Sequence, residues 1–526
     1  MQNSQRVLLA KPRTAPMARR RDGDIAPYRH AAREVRTARC ARRGARGEGA
    51  RGGARVRRRG YGEEARGAVA LLGCCFFGRK RGMQSDMFSL TVMGCRLNHA
   101  EAAAIRGVLE SEGFVREESK PRKGVPYLLH TCAVTAVAQT EALRHLRSAK
   151  RAGAMPVLVS GCAANVTEPE RLFEAGADAI IYRVEKPEAT GWARGEWAVR
   201  QGESASEEAK RLAEKVAEGF QFQFQTGIFP RHTSTRAPVK IQDGCSFRCS
   251  YCIVPDARGN PRSRALADVL EECRGLARRG FRELVLTGVN VACWRDGRHG
   301  FADVVRAVSA LDGVARVRIS SVEPHTGEEE VLSLLSASDT KLCRTLHYPM
   351  QSGSDKVLKL MRRRYDSGAY RRVLDRILER VPDIGLGTDI ITGFPGEDEA
   401  AFEETVRLVR DYPFSNLHVF PYSERVGTPA AEYPDKVPMQ ERRARAKVLL
   451  ALGEEKRAAF AATFAGKTVE VLIERVDGEG TAIGWSSEYL PVRISGCTSE
   501  RTGQLVRVKV ARIAGETLFG SMDGLV

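Results

Sequence analysis

Cys245, Cys249 and Cys252, in the stretch KIQDGCSFRCSYCIVPDARG, are residues whose type and spacing imply chemistry directly. Thiolates are soft ligands, and three of them so close together can converge on one metal centre. Zinc is one reading, but a closed structural zinc site takes four Cys or His ligands. No fourth such residue lies nearby at a matching gap. An iron–sulfur cubane is the other reading. It has four irons, each normally held by one thiolate, so three thiolates leave one iron open to a substrate. Cys95, Cys132 and Cys162 form a second set, each closing a short apolar run: FSLTVMGC, YLLHTC and PVLVSGC. If those runs are parallel strands, three cysteines far apart in sequence meet beyond the carboxyl ends of one sheet. The other seven of the 13 cysteines have no ligand spacing. They read as small hydrophobes, and a cysteine count of this size in a cytosolic-looking chain favours metal or redox chemistry over disulfides.

These cysteines need elements to position them. From residue 87 to about 190 short apolar strands alternate with helical stretches such as HAEAAAIRGVLESEGF, which predicts a parallel α/β domain. Residues 191–235 are polar with a helical middle and read as a linker. Over 236–460 six strand–helix units follow: the strands are VKIQDGC, ELVLTGVN, VRISSVEP, TLHYPMQ, GLGTDIITGF and NLHVFPYS. Six such units predict a partial (β/α)6 barrel, since eight close the usual one. Each strand delivers polar groups at its carboxyl end, where barrel enzymes place their chemistry: Cys245, Thr287 with Asn290, Glu323, Gln351, Asp389, and Tyr422 with Ser423. Residues 463–526 change to short β runs with Gly-rich turns, a small all-β barrel of the kind nucleic-acid-binding modules use.

The net charge of +19 suggests a nucleic-acid partner, yet residues 1–82 carry 22 Lys and Arg against 6 Asp and Glu. That leaves residues 83–526 with 62 basic and 59 acidic residues, close to neutral, so global charge does not argue for RNA. The basic segment is Arg/Gly/Ala-rich without a period and is expected to be disordered. It reads either as an RNA-binding arm or as residues upstream of a native start near Met83 or Met87. The all-β domain has 7 basic and 8 acidic residues, no sign of strong phosphate attraction. No apolar run is long enough to span a bilayer.

C-x3-C-x-aromatic-C, with Tyr251 before the last cysteine, resembles the cluster motif of radical S-adenosylmethionine (radical SAM) enzymes. GCRLNHAE, HTCAVT and SGCAAN resemble the three cysteine motifs of the methylthiotransferase amino-terminal domain, which holds a second [4Fe–4S] cluster. CSYCIVPDARGNPRSR, LTGVN, ISSVEP, HYPMQSGSDKVLKLMRRRY, TDIITGFPGEDEAAF and VFPYSERVGTPAA resemble the radical SAM domain of that family, and the carboxy-terminal part resembles its TRAM domain. The resemblance implies a Rossmann-like α/β domain, a partial barrel and a TRAM barrel. It implies two [4Fe–4S] clusters, on Cys95, Cys132 and Cys162 and on Cys245, Cys249 and Cys252, with two S-adenosylmethionine molecules used per turnover. The first would methylate a sulfur at the amino-terminal cluster; the second, cleaved reductively, would give a 5′-deoxyadenosyl radical.

Tyr251 would then lie beside the adenine, with Thr287, Gly288, Glu323, Gln351 and Asp389 as further cofactor contacts. Arg258, Arg262 and Arg264 would either grip tRNA phosphates or pair with local acids. Within the family the motifs are most similar to the bacterial branch acting on N6-threonylcarbamoyladenosine at position 37 of tRNA. The branches acting on isopentenyladenosine or on a ribosomal-protein aspartate are alternatives, as is a non-catalytic zinc-stabilised RNA-binding protein. A flavodoxin or ferredoxin as electron donor, a monomeric state and a cytoplasmic location follow as expectations. Two positions depart from the family pattern: His130 replaces a usual Asn, and Asp256 a common aromatic.

Overall fold

Strand–helix alternation becomes two α/β bodies and a β barrel in the computed structural model, which describes residues 87–116, 120–182, 197–199, 207–219, 232, 234–324, 328–337 and 339–526. The basic segment 1–82 and much of the 191–235 stretch lie outside the described residues. The amino-terminal sheet contains β1 (Met87–Val92), β2 (Val115–Arg116), β3 (Tyr127–Thr131), β4 (Val157–Gly161), β5 (Ala179–Ile181) and β6 (Trp197–Val199). Its order is β2-β1-β3-β4-β5-β6, parallel throughout except that β6 runs antiparallel to β5. Helices cover both faces, so the central strands β3 and β4 are apolar runs with every residue buried. The Ala136–Arg151 helix puts Ala142, Leu143 and Leu146 against Leu129 and Val159 on one face. On the other, the Arg96–Ser111 helix packs Ile105 and Leu109 with Leu90 and Leu158.

The linker reading of 191–235 needs correction where the stretch is described. β6 is an edge strand of this sheet, and the Glu207–Gly219 helix puts Leu212, Ala213 and Val216 into the core beside Ile105 and Leu109. Their helical spacing is an amphipathic stripe hidden in a polar composition.

The central body contains β7 (Arg236–Lys240), the short hairpin β8 (Gln242–Asp243) and β9 (Arg262–Ser263), then β10 (Glu283–Thr287), β11 (Arg316–Ile319), β12 (Thr345–His347), β13 (Gly385–Thr392) and β14 (Phe414–Pro421). Two parallel sheets, β7-β10-β11 and β12-β13-β14, are stitched where the Val317 N–H donates to the Lys341 carbonyl at 2.7 Å and Cys343 N–H to that of Val317 at 2.8 Å. The six long strands thus follow one another in chain order as an open barrel, as six units without eight predict. Its free edges are covered, β7 by the Arg96–Ser111 helix and β14 by the Met439–Ala462 helix.

The carboxy-terminal strands β15 (Thr468–Val476), β16 (Ala482–Ser486), β17 (Pro491–Ser495), β18 (Leu505–Ala514) and β19 (Thr517–Leu525) close into a barrel in the order β15-β16-β17-β19-β18. This barrel docks near the amino ends of the central strands and leaves their carboxyl ends clear. Arg316 and Arg318 each hold the buried Glu283 carboxylate and also donate to carbonyls of Glu470, Trp485, Ser486 and Ser487. Burial alone would raise the Glu283 carboxyl, but Arg316, Arg318 and Arg236 hold it well below the usual carboxylate range. Tyr489 stacks on Trp485 at 4.7 Å between ring centroids and accepts a 2.9 Å hydrogen bond from Arg96. Among the described residues no helix is long and apolar enough to cross a membrane.

Removing one partner of a buried ion pair leaves an uncompensated charge. Glu283→Ala is therefore expected to cost about 3–5 kcal/mol, read as a shift of the denaturant midpoint. Burial opposes ionisation of Tyr489, yet Arg96, Arg236 and Arg318 pull its phenol down to about 8. An unfolded tyrosine titrates near ~10, so the ionised phenol adds stability that grows as pH rises through 8 and levels off near ~10. Melting curves across that window should show the gain in the native protein and lose it in Tyr489→Phe.

Candidate active site

Cys95 caps the Arg96–Ser111 helix just beyond β1, Cys132 follows β3 directly, and Cys162 opens a short helix at the end of β4. Because β1, β3 and β4 are neighbours in register, with Val92 opposite His130 and His130 opposite Ser160, the three cysteines share one edge. Gly94 permits this closure. Its φ is +99°, and a Cβ there would stand 2.7 Å from the Cys132 Cβ. Burial pushes the Cys132 thiol up to about 11, and Cys162 and Cys95 add to the rise, so three anionic sulfurs here call for a bound cation.

The second set sits at the mouth of the open barrel. The Cys245 N–H donates to the Gly259 carbonyl and the Cys252 N–H to that of Cys249, both at 3.1 Å, which folds the loop back on itself. Burial pushes the Cys252 thiol up to about 12, with Cys249 and Cys245 adding to it. Arg363 donates to the Cys249 sulfur at 3.3 Å and to the Tyr365 hydroxyl at 3.0 Å, and pairs with Glu323. This buried arginine was not foreseen, because the run KLMRRRY reads equally as a solvated helix face. Tyr251 packs edge-on against Phe394.

Around this loop the strand ends converge as the barrel reading requires. The Gln242 carboxamide accepts from the Val289 and Asn290 N–H groups at 3.0 and 2.8 Å and donates to the Gly244 carbonyl at 2.8 Å. It ties the segment after β10 to the cysteine loop. A Cβ on Gly288 would lie 2.9 Å from Gln242 oxygens, so the backbone approach needs glycine. Thr287 is buried beside it. Gln351 has a φ of +66°, a strained backbone for a residue with a Cβ, and its N–H donates to the Asp389 carbonyl at 2.8 Å. The Asn290 carboxamide, the Ser320 hydroxyl and the Tyr422 hydroxyl are buried without hydrogen-bond partners among the described residues. All three lie just beyond strand carboxyl ends, where a polar ligand would satisfy them.

Asp389 meets two imidazoles, His418 Nδ1 at 3.1 Å and His347 Nε2 at 3.0 Å. The three donor atoms lie within 4.8 Å of one another, close enough to hold a metal ion. Arg457, however, donates to Asn416 Oδ1 at 3.4 Å, which turns the Asn416 amide N–H toward His418 Nε2 at 2.9 Å. That leaves the His418 proton on Nδ1, facing Asp389, and favours a hydrogen-bonded set over a metal site. The Gln351 N–H on the Asp389 carbonyl ties this set to the segment just beyond β12.

Of the two readings of Arg258, Arg262 and Arg264, the structure shows the pairing with local acids. Arg258 and Arg264 are 3% and 5% exposed, and Arg264 is held by Asp268 and Glu272. Arg258 and Arg262 pair with Asp243 at 3.0 and 3.2 Å. All three pair with local acids, and the buried guanidiniums of Arg258 and Arg264 do not reach a phosphate, while Arg262 is half-buried. His130 is likewise internal, bonded to Ser160 at 2.9 Å and facing Glu101. On the carboxy-terminal barrel the balanced charge count hides a local basic group. Exposed Arg493, Lys509 and Arg512 share one face, and Arg512 lies 3.8 Å over the Phe519 ring. Basic side chains interleaved with an aromatic ring suit a nucleic-acid backbone and base.

Residues 239–409 match the Radical SAM superfamily, and residues 87–182 match Uncharacterized protein family UPF0004. The chain is 32% identical over 431 residues to the threonylcarbamoyladenosine tRNA methylthiotransferase MtaB of Bacillus subtilis (strain 168), covering 80% of this chain and 92% of that relative. The chain belongs to the radical SAM tRNA methylthiotransferase family. It is also 33% identical over 446 residues to the tRNA-2-methylthio-N(6)-dimethylallyladenosine synthase of Thermotoga petrophila, covering 83% of this chain and 96% of that relative. Among solved structures it resembles the radical S-adenosylmethionine methyltransferase TsrM from Kitasatospora setae, at 16% identity and a TM-score of 0.45 over 66% of this chain and 75% of that one. As a radical SAM methylthiotransferase it uses S-adenosylmethionine and two [4Fe–4S] clusters. The residues present fit those groups: two sets of three thiols for the clusters, and the unpartnered polar groups at the barrel mouth for the cosubstrate.

Proposed function

We propose that this protein methylthiolates C2 of N6-threonylcarbamoyladenosine at position 37 of tRNA, beside the anticodon. The observation that carries the choice of base is the Asp389–His347–His418 set at the barrel mouth. A threonylcarbamoyl group brings a hydroxyl and amide N–H groups that can donate to the Asp389 carboxylate. An isopentenyl group is hydrocarbon and would bury that carboxylate with nothing further to donate to it, the situation in which discrimination is steepest. The relative named for threonylcarbamoyladenosine supports the reading, while identity alone does not separate it from the dimethylallyl branch. The basic, aromatic face of the carboxy-terminal barrel supports an RNA substrate over a protein one.

In this reading Cys245, Cys249 and Cys252 hold the cluster at the barrel mouth, and Cys95, Cys132 and Cys162 hold the second. Bound there and reduced, S-adenosylmethionine supplies a carbon radical suited to an unactivated C2–H, on which acid–base chemistry has little purchase. Thr287, Gly288 and Asn290 offer close backbone and amide groups to its polar end, and Glu323 and Gln351 its further contacts. Tyr251 provides an aromatic wall. Arg363 balances the charge of Cys249 and fixes Glu323. Asp389, oriented by two imidazoles, faces the mouth. A flavodoxin- or ferredoxin-type reductant, a monomeric state and a cytoplasmic location accompany the reading.

The nucleosides of tRNA from cells with and without the gene test it. Loss of the 2-methylthio form, with N6-threonylcarbamoyladenosine persisting, is the expected result. Loss of the isopentenyl analogue instead would move the assignment to the sister branch, and an unchanged profile would overturn it. The cysteines divide the labour. Cys249→Ala should abolish cosubstrate cleavage in the purified enzyme, whereas Cys132→Ala should still cleave it but deliver no sulfur. Iron analysis of the native protein should give about eight irons per chain, against none for a zinc protein.

A further inference from the structure

Arg258 stands six residues after Cys252, at the end of the Val254–Arg258 helix, and the carbonyl of its neighbour Gly259 accepts the Cys245 N–H. Its backbone therefore belongs to the barrel-mouth cysteine loop. Its side chain does not stay there. One guanidinium nitrogen donates to Asn98 Oδ1 at 2.6 Å and approaches Glu101 Oε2 at 3.4 Å. The other donates to Glu101 Oε1 at 3.2 Å and Asp243 Oδ1 at 3.0 Å. Asn98 in turn donates to the Met93 carbonyl at 2.7 Å and the Thr131 carbonyl at 2.8 Å, two residues before Cys95 and one before Cys132. From either cysteine set, the other is thus reached through one planar, buried fork and a single carboxamide.

The surrounding charges keep that fork in place. Lys240 binds Glu101 at 3.1 Å, Arg262 binds Asp243 at 3.2 Å, and Glu101 also faces His130. A guanidinium held by two carboxylates and an amide has little freedom, and its geometry cannot be copied by an ammonium group. Elsewhere in the interface the Ala136 N–H donates to Ser423 Oγ at 3.2 Å and Arg425 to Gln139 Oε1 at 3.1 Å, a single bond in each case.

We propose that Arg258 is a positioning residue that fixes the separation and orientation of the two cysteine sites relative to each other. The proposal rests on the functional reading above, in which sulfur leaves one site and the radical arises at the other. A small misplacement between reacting partners can cost about a hundredfold in rate while leaving each site intact. Loss of the fork should therefore uncouple the two half-reactions without abolishing cosubstrate cleavage.

The test uses anaerobically reconstituted full-length protein in the native form and as Arg258→Gln, Arg258→Lys and Glu101→Gln. Glu101→Gln removes the charge that holds the guanidinium from the amino-terminal side, leaving the cysteine loop and the Asn98 bond in place, and so serves if Arg258→Gln does not fold. Iron content, the magnetic interaction between the two reduced clusters by EPR, and the ratio of 5′-deoxyadenosine to thiolated nucleoside are measured. The expected result is unchanged iron, a weakened or altered inter-cluster interaction, and a product ratio raised about tenfold to a hundredfold, with Arg258→Lys recovering little of it. An unchanged ratio and EPR interaction in Arg258→Gln and Glu101→Gln would overturn the proposal. So would activity lost only in step with iron, which marks a role in stability alone. Failure of the native protein to make 5′-deoxyadenosine at all would instead refute the functional reading.

Discussion

Parallel strands joined by crossovers must all open at the same end, and the chemistry of this protein depends on that constraint. In the amino-terminal sheet it gathers Cys95, Cys132 and Cys162 from positions 30 or more residues apart onto one edge. In the central barrel it sets Cys245, Thr287, Glu323, Gln351 and Asp389 around one mouth. Neither assembly needs the residues to be near in sequence. Each needs only that an apolar strand end on a polar residue.

Buried charge then determines how the bodies meet. At the amino ends of the central strands, Glu283 bonds both Arg316 and Arg318 while their remaining N–H groups bond carbonyls of the carboxy-terminal barrel. Near the carboxyl ends, Asp243 and Glu101 do the same for Arg258, Arg262 and Lys240. Desolvating so many ions is costly unless each finds its partner in good geometry, so these interfaces tolerate little sliding. Apolar faces alone would fix them less sharply.

Most strands of the two α/β bodies were legible because each lies in an apolar run punctuated by Gly, Pro or a polar group. The cysteine sets were legible from spacing in one case and from strand position in the other. What escaped the sequence is whatever depends on a distant partner. Arg258 and Arg264 look like any basic residues until Glu101 and Glu272 are seen beside them. Arg363 lies in a run of like charges, only one of which turns inward to Cys249. The strands β2, β6, β8 and β9 are two or three residues long, too short for any periodicity. On the carboxy-terminal barrel, composition averaged over a surface on which Arg493, Lys509 and Arg512 come together around Phe519.

The hydrogen bond from Arg96 to Tyr489 has a mechanical consequence. Arg96 adjoins Cys95 in the first body, and Tyr489 belongs to the last, so the three bodies form a closed linkage rather than a string. In a string, each joint flexes alone. In a ring, torsion at one joint is passed to the other two, and the carboxy-terminal barrel becomes a brace for a loop that belongs to the opposite end of the chain.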